Sequence, residues 1–321
     1  MKLFVTGGAG FIGSNYVRWV LGNRAETDVT NYDLITYAGN LANLRDVEDD
    51  PRYRFTKGDI CDGGMLDEVL PGHDAILNFA AESHVDRSID WAAEFVRTNV
   101  LGTNTLLEAA RRHRIPRYLQ VSTDETYGSI DVGSFAEGDR LDPASPYSAS
   151  KAAGDLLVRA YHRTYGMPVV ITRGSNTFGP YQFPEKVIPL FVTNLLEDRP
   201  VPLYGDGLNI RDWIHVEDVC AGIHTVLELG DVGQIYNIAA GNERTNLDLS
   251  RALCDLLGKP YSFITPVDDR PGHDRRYSVD TNRARALGWE PRWSFDDALR
   301  ATVEWYRSNR QWWEPLRARE G

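Results

Sequence analysis

Over its first half the chain alternates short apolar runs with longer amphipathic stretches. Lys2 to Thr6, Val29 to Tyr32, Tyr53 to Thr56, Asp74 to Phe79, Arg117 to Val121 and Pro168 to Thr172 each read as a strand. Near-continuous apolar character, as in Asp74 to Phe79, marks a parallel strand buried on both faces. The stretches between them predict helices from about Ser14 to Leu21, stopped at Gly22-Asn23, and near Gly64 to Val69. One long helix is expected over Ala92 to Arg112, with Phe95, Val96, Val100, Leu106, Leu107 and Ala110 on or near an apolar face, and another from Tyr147 to about Tyr165. Strands alternating with helices in this way give an α/β fold, a doubly wound parallel sheet whose ligands lie at the C-terminal edge of the strands.

After Arg173 the rhythm breaks. Residues Gly174 to Pro189 read as loop, with Pro180, Pro184 and Pro189, before a helix from about Leu190 to Glu197. Val201 to Tyr204 and Trp213 to Val216 are short strands, and helices are expected at about Val219–Leu229, Leu247–Leu257, Thr281–Leu287 and Phe295–Arg310, the last capped by Ser294 with Asp297 three residues on. These pieces look too short and irregular to continue the sheet, so a smaller lobe closing over it is expected. The aromatic tail, Trp305, Tyr306, Trp312 and Trp313, is expected to pack the last helix onto that lobe.

Composition adds a few exclusions. The 321 residues are 42% hydrophobic and 25% charged, which is ordinary for a globular protein with a real core. A net charge of −11 argues against a nucleic-acid partner, and an anionic substrate would need a local cationic pocket. Cys61, Cys220 and Cys254 are far apart and contain no CxxC, so no disulfide framework and no metal site is expected. No segment approaches a membrane span and no signal peptide is read, which gives a cytoplasmic expectation.

The candidate chemistry lies at the strand ends. Gly7, Gly10 and Gly13 follow the first strand and open a helix, as a tight turn against a pyrophosphate requires. Asp33 ends the second strand about 20 residues further on, where an acid binds ribose hydroxyls and repels a 2′-phosphate, so NAD is favoured over NADP. This makes the sheet Rossmann-type. Asp59 and Ile60 are candidates for the adenine, although Asp59 also reads as an N-cap. Small residues at Ala80-Ala81 let a nicotinamide come close. Tyr147 and Lys151 share one helix face, a turn apart, and Asp124-Glu125 follow the fifth strand. A tyrosine side chain ordinarily titrates near pH ~10 and needs a downward shift to act as a base at neutral pH. Two carboxylates with opposite tasks need pKa values pushed apart. Arg211, Arg270, Arg275 and Arg276 are the cationic candidates of the second half. The NAD-binding domain is placed at 1–175, with returning segments about 210–240, and the interleaved substrate lobe mainly at 176–321.

Taken together, these residues resemble the extended short-chain dehydrogenase/reductases. Thr6-Gly7-Gly8-Ala9-Gly10-Phe11-Ile12-Gly13 and Tyr147-x-x-x-Lys151 carry that much. Four further stretches are more specific: Ala80 to Ser88 (AAESHVDRS), Ser122-Thr123-Asp124-Glu125-x-Tyr127-Gly128, Phe183-Pro184-Glu185-Lys186-x-Ile188-Pro189 and Arg270-Pro271-Gly272-His273-Asp274. They are similar to the nucleotide-sugar 4,6-dehydratases, in particular those acting on dTDP-glucose. Sugar 4-epimerases of the superfamily usually carry small residues at Asp124 and Glu125, and GDP-mannose dehydratases a Ser-Glu pair. Thr126 stands where relatives commonly have valine, and Thr177-Phe178 where Asn-Tyr is more usual; both are expected to alter packing beside the nicotinamide.

The resemblance implies NAD contacts at Gly7, Gly10, Phe11, Ile12, Gly13, Asp33, Leu34, Ile35, Thr36, Asp59, Ile60, Phe79, Ala80, Ala81, Thr98, Tyr147, Lys151 and Asn176. It implies nucleotide-sugar contacts at Ser83, Thr123, Asn176, Glu185, Lys186, Pro202, Tyr204, Arg211, Asn246, Arg270 and His273, and a homodimer through the helices at about 92–112 and 147–165. In the implied reaction Tyr147 is the base for the C4 hydroxyl, assisted by Lys151 and Thr123, while Glu125 and Asp124 serve as base and acid for loss of water. The rivals are another NAD-dependent nucleotide-sugar epimerase or decarboxylase and, in a different class, a non-catalytic NAD-binding regulatory protein.

Overall fold

The computed structural model describes residues 1–317; residues 318–321, the end of the lobe expected at 176–321, lie outside the described residues. Seven parallel strands form one sheet: β1 (Lys2–Thr6), β2 (Asp28–Asp33), β3 (Tyr53–Lys57), β4 (Ala75–Asn78), β5 (Tyr118–Thr123), β6 (Val169–Gly174) and a seventh from the C-terminal half. Their spatial order is β3-β2-β1-β4-β5-β6 and then the seventh strand, so the order reverses between β1 and β4. A crevice opens at such a reversal, and ligands bind there.

Strand pleating explains the layering. Leu3, Val5, Val29, Leu77, Leu119 and Val170 point to one face, packed under α1 (Phe11–Asn23). Phe4, Tyr32, Ile76, Tyr118, Val169 and Ile171 point to the other, under α2 (Gly63–Val69) and the long helices that follow. Successive residues serve opposite cores, which is why the runs read as apolar throughout. Helix α1 starts at Phe11 and runs to Asn23, with Gly22 inside it rather than beyond its end.

A short helix the sequence did not announce, α3 (Val85–Asp90), precedes the predicted long one. That long helix is α4 (Ala92–Phe95), a wider π-type segment at Val96–Gly102, and α5 (Thr103–Arg112) in continuous succession. The wide turn brings Asn99 against the neighbouring α6 (Pro146–Tyr165), where its amide donates to Ser150 Oγ at 2.8 Å. Helix α6 is bounded as expected of its ends: Ser145 and Ser148 cap it reciprocally, Pro146 opens it, and Gly166 closes it at φ +68°.

The second half holds β7 (Asn176–Phe178), α7 (Val187–Leu196), β8 (Val201–Tyr204), β9 (Ile210–His215), α8 (Val216–Leu229) and β10 (Ile235–Ile238). After them come β11 (Glu243–Thr245), α9 (Asn246–Leu257), β12 (Ile264–Val267), α10 (Asn282–Ala286), α11 (Phe295–Ser308) and α12 (Arg310–Arg317). One expectation fails here. Strand β10 pairs in parallel with β6 as the seventh strand, so a short C-terminal piece does continue the sheet. Its four residues are all buried, Ile235, Tyr236 and Ile238 against the two helical layers, which a run of that length signals only weakly. The pairs β11-β9-β7 and β12-β8 build small sheets over a separate core that includes Phe178, Phe191, Trp213, Leu253, Phe295 and Trp313. The aromatic tail packs there and also reaches further. Trp312 Nε1 donates to Asn43 Oδ1 at 2.8 Å, and the Asn43 amide donates to the Ala9 carbonyl at 2.9 Å, tying α12 to the glycine turn.

Candidate active site

The turn after β1 is shaped by contacts that no side chain would allow. Gly7 has φ +69°, and a Cβ there would stand 2.6 Å from the Ala80 backbone nitrogen. A Cβ on Gly13 would stand 2.2 Å from the Gly7 carbonyl oxygen. Helix α1 therefore begins hard against the end of the sheet, with Gly10 as a cap that supplies no side-chain acceptor. Its first-turn N–H groups are left for an anionic ligand. Asp33, at the end of β2, is 8% exposed and accepts from Ala9 N at 2.9 Å and Ile35 N at 2.7 Å. Burial raises its carboxyl pKa against those two hydrogen bonds. Each oxygen keeps a lone pair for a ribose hydroxyl.

These residues line a cleft along the sheet edge that also takes in Phe11, Ile12, Leu34, Thr36, Asp59, Ile60, Phe79, Ala80, Ala81, Thr98, Tyr147 and Lys151. A dinucleotide fits this wall of backbone N–H groups, small residues and one buried acid. Two sequence candidates are not part of it: Ile35 holds a left-handed turn beside Asp33, and Asn176 lines the adjoining clefts. Asp59 is not a helix cap; α2 is capped by Asp62, and Asp59 accepts from Arg97 Nη2 at 2.6 Å and Cys61 N at 2.8 Å. The wall also contains Gly39 and Gln182, which sit in loops without periodicity, Gly58 beside the expected Asp59, and Phe183, whose motif by resemblance points to the sugar alone.

At the middle of the sheet edge, β5 ends in Thr123 and passes into a 3₁₀ turn at Asp124–Tyr127. Thr123 Oγ1 accepts from Glu125 N and donates to Asp124 Oδ1, both at 3.3 Å. Thr126 Oγ1 donates to the Thr123 carbonyl at 2.9 Å, so the threonine in place of valine pins this turn. The other unusual threonine, Thr177, donates to Ser175 O at 3.1 Å.

Asp124 is 2% exposed, and burial first, then the charges of Glu125 and Asp212, push its carboxyl well above the ordinary range. Glu125 is partly open to the cleft. Burial raises it too, but Arg270, Arg211 and Lys186 all oppose that rise. Both carboxyls are raised, but the charges around them differ in balance: two acids against Arg211 act on Asp124, and three cations against Asp274 act on Glu125. That difference acts in the direction the acid and base tasks need.

Tyr147 and Lys151 are both buried on α6, and with the 3₁₀ turn Tyr147 lines a third cleft joining the other two. Burial and the Glu125 charge raise the Tyr147 phenol, opposed by a hydrogen bond from Thr123. The Lys151 ammonium, one turn along the same helix from Tyr147, donates to the Val121 carbonyl at 2.7 Å, and burial lowers its pKa to about 8. The lowering influence on Tyr147 comes from Thr123.

The second large cleft collects Asn176, Glu185, Lys186, Pro202, Tyr204, Arg211, Asn246, Arg270 and His273, with Glu125 at its inner end. Ser83 and Thr123 line the adjoining clefts instead. Arg211 is buried, held by the Ile210 and Asp274 carbonyls and stacked 4.2 Å from the Tyr277 ring centre. Asp86 on α3 bridges Tyr204 and Arg270, accepting at 3.3 and 3.2 Å. Arg275 and Arg276 lie outside the cleft, paired with Asp206 and Glu243. Buried polar atoms without a protein partner gather along these clefts: Asp124 Oδ2, Ser122 Oγ, Ser175 Oγ, Asn176 Oδ1 and Arg270 Nε. Unpaired buried donors and acceptors are costly unless a ligand meets them. No cluster of three metal-ligating side chains exists among the described residues.

Comparison with known proteins agrees with this geometry. A family profile described as GDP-mannose 4,6 dehydratase matches residues 4–302. A dTDP-glucose 4,6-dehydratase of Streptomyces niveus is 53% identical over 99% of this chain and 96% of its own. The crystal structure of a dTDP-glucose 4,6-dehydratase from Streptomyces venezuelae, with NAD and dTDP bound, superimposes with a TM-score of 0.97 at 56% identity, covering 98% of this chain and all of that one. The UDP-glucose 4-epimerase of Thermotoga maritima shares the architecture at a TM-score of 0.88 but only 29% identity, covering 96% of this chain and 99% of its own.

Proposed function

The chain belongs to the GDP-mannose 4,6 dehydratase family, and we propose that within it the chain converts dTDP-glucose to dTDP-4-keto-6-deoxyglucose, using NAD held in the sheet-edge cleft. The observation that carries this is the Asp124–Glu125 pair, buried where the two clefts meet and split electrostatically into an acid and a base. A protein that only exchanged a hydride at one carbon would have no use for it.

NAD, when bound, supplies the transient hydride acceptor and a positive ring that favours the Tyr147 phenolate. Tyr147 takes the proton of the sugar C4 hydroxyl, and Thr123 Oγ1 orients that oxygen. With C4 a ketone, the C5 hydrogen is acidic, and Glu125 removes it. Asp124, held protonated by burial, delivers its proton to the C6 hydroxyl as that group leaves as water, and the 4-keto-6-deoxy product is complete once the hydride removed from C4 returns to C6 and Glu125 gives its proton back to C5. Arg211 and Arg270 face the anionic part of the substrate, with Lys186 between the clefts.

The sheet with α1 to α6 and the returning α8 and β10 forms the dinucleotide-binding part, and the remaining elements after 176 the substrate lobe, with β9 between them giving Ile214 to one apolar core and Trp213 to the other; the two cores support this division. The chain acts as a homodimer, supported by the apolar side chains of Val96, Leu101 and Leu156, each more than half exposed on neighbouring helices. No helix among the described residues is long and apolar enough to cross a membrane, and the three cysteines are free, which supports a cytoplasmic location. Incubation with dTDP-glucose and UDP-glucose side by side tests the main reading. A 4-keto product absorbing in alkali is expected from dTDP-glucose; a 4-epimer, or bound NAD with no product, would refute it.

A further inference from the structure

The dinucleotide cleft has two rims. One is the loop that follows Asp33, where Leu34, Thr36 and Gly39 face inward; the other is the segment Gln182 to Lys186. Tyr37 leaves the first rim and reaches the second. Its hydroxyl donates to Glu185 Oε1 at 3.1 Å, and its ring meets Phe183 edge-on, with centres 5.6 Å apart at 86°. From α3, Arg87 Nε donates to Glu185 Oε2 at 3.2 Å, and its guanidinium lies 3.9 Å from the Tyr37 ring centre. The Glu185 carboxylate, 7% exposed, is thus met on each oxygen by a donor from a different element.

We propose that Tyr37, Glu185 and Arg87 form a strap across the mouth of this cleft that retains the dinucleotide through each catalytic cycle. The inference rests on reading the cleft as the NAD site. The chemistry gives the strap its purpose. The hydride taken from C4 must return to C6 of the same sugar, so a reduced cofactor that escapes midway leaves a dead-end ketone and an empty site. A rim-to-rim contact of three side chains, centred on a carboxylate that is itself buried, opposes that escape without touching the reacting atoms. The loop that presents Tyr37 is built for the purpose. Ile35 sits at φ +57°, a conformation disfavoured for a β-branched residue, and the Asp33 carboxylate holds it there through the Ile35 N–H. Glu185 also lines the second cleft, where the resemblance places it beside the sugar, so the strap stands at the border of the two clefts.

The test follows release of radiolabelled NAD from the loaded protein into excess unlabelled NAD, with no sugar present. Tyr37→Phe keeps the ring against Phe183 and Arg87 and removes only the hydroxyl, so it preserves the fold; its release is expected to be about tenfold faster, the size of one lost hydrogen bond to a charged group. Arg87→Gln is expected to accelerate release similarly, and Tyr37→Ala more than either. During turnover the Tyr37→Ala enzyme should shed reduced cofactor into solution and regain activity on addition of NAD. Release at the parent rate from both Tyr37 variants would overturn the strap while leaving the NAD site intact. Failure of the parent to capture any label would overturn the NAD reading and the strap with it.

Discussion

Arg173 stacks over the ring of Tyr127, 4.6 Å from its centre, in the same 3₁₀ turn that carries Asp124 and Glu125. Its guanidinium pairs with Asp155 on α6 at 2.9 Å, and both side chains are essentially inaccessible. One turn of backbone therefore borders two buried sets of charged groups that the protein handles in opposite ways. Asp155 is given a cation in contact. Asp124 is given none in contact among the described residues, and its nearest charged influences include two other acids. A buried charge that is paired holds elements together, here α6 to the end of β6 and to the turn. A buried carboxyl that is left unpaired keeps its proton, and that proton is available for chemistry.

The contrast is broken most directly by removing one acid from each set. Asp124→Asn should lower dehydration by about 10²–10⁴-fold while C4 oxidation continues, visible as accumulating near-ultraviolet absorbance of bound reduced nicotinamide. Its resistance to denaturant should be unchanged or higher, because an unsatisfied acid is gone. Full dehydration by this variant would remove the acid role from Asp124. Tyr147→Phe should stop both stages, and reduced cofactor appearing in that variant would exclude Tyr147 as the base. Asp155→Asn should do the reverse of Asp124→Asn, costing about 3–5 kcal/mol of folding stability by stranding Arg173. A denaturant midpoint equal to the parent's would show the pair to be dispensable.

A pH series sharpens the same comparison. The folded-state pKa of Asp124 is raised, so its contribution to stability is full below the unfolded value of about 3.9 and is lost as pH rises through the folded value. The stability of Asp124→Asn relative to the parent should therefore grow with pH from about 4 upward and then level off. A constant difference would mean the carboxyl is not shifted. A smaller effect concerns Lys151, whose pKa is lowered to about 8. Loss of its ammonium should give an alkaline limb in kcat/KM near that pH, and Lys151→Arg, whose charge does not titrate there, should move the limb upward.

Sequence reading reached the sheet because its inner strands are buried on both faces and read as apolar blocks, while the half-exposed edge strand β3 still carries Tyr53 and Phe55 in alternation. It reached Gly7, Gly13 and Asp33 because close backbone approach and a strand-end acid leave a spaced signature. It missed β10, four residues whose partner lies across α8, and it missed α3, whose Val85–Asp90 segment has too few turns to show a period. It took Ala92 to Arg112 as uniform helix, since a widened turn at Val96–Gly102 alters hydrogen bonding and not composition. Asp124 and Glu125 were visible as a pair, but what separates them was not: Asp212, Arg211, Arg270 and Lys186 converge on them from elements distant in sequence. Arg275 and Arg276 looked equivalent to Arg211 and Arg270 and are not, because only the fold decides which arginines face a cleft and which face Asp206 and Glu243.

Asp33 has a bearing on attempts to re-engineer the enzyme. On the proposed reading its carboxylate is the part that would discourage a 2′-phosphate, so it is the obvious residue to replace when a different dinucleotide is wanted. That same carboxylate is the anchor for two backbone amides, Ala9 in the glycine turn and Ile35 in its left-handed bend. Neutralising it deletes the electrostatic filter and slackens the bend in one stroke. Coenzyme preference in this scaffold is consequently wired into loop shape, and a redesign would have to rebuild residues 34–39 together with position 33.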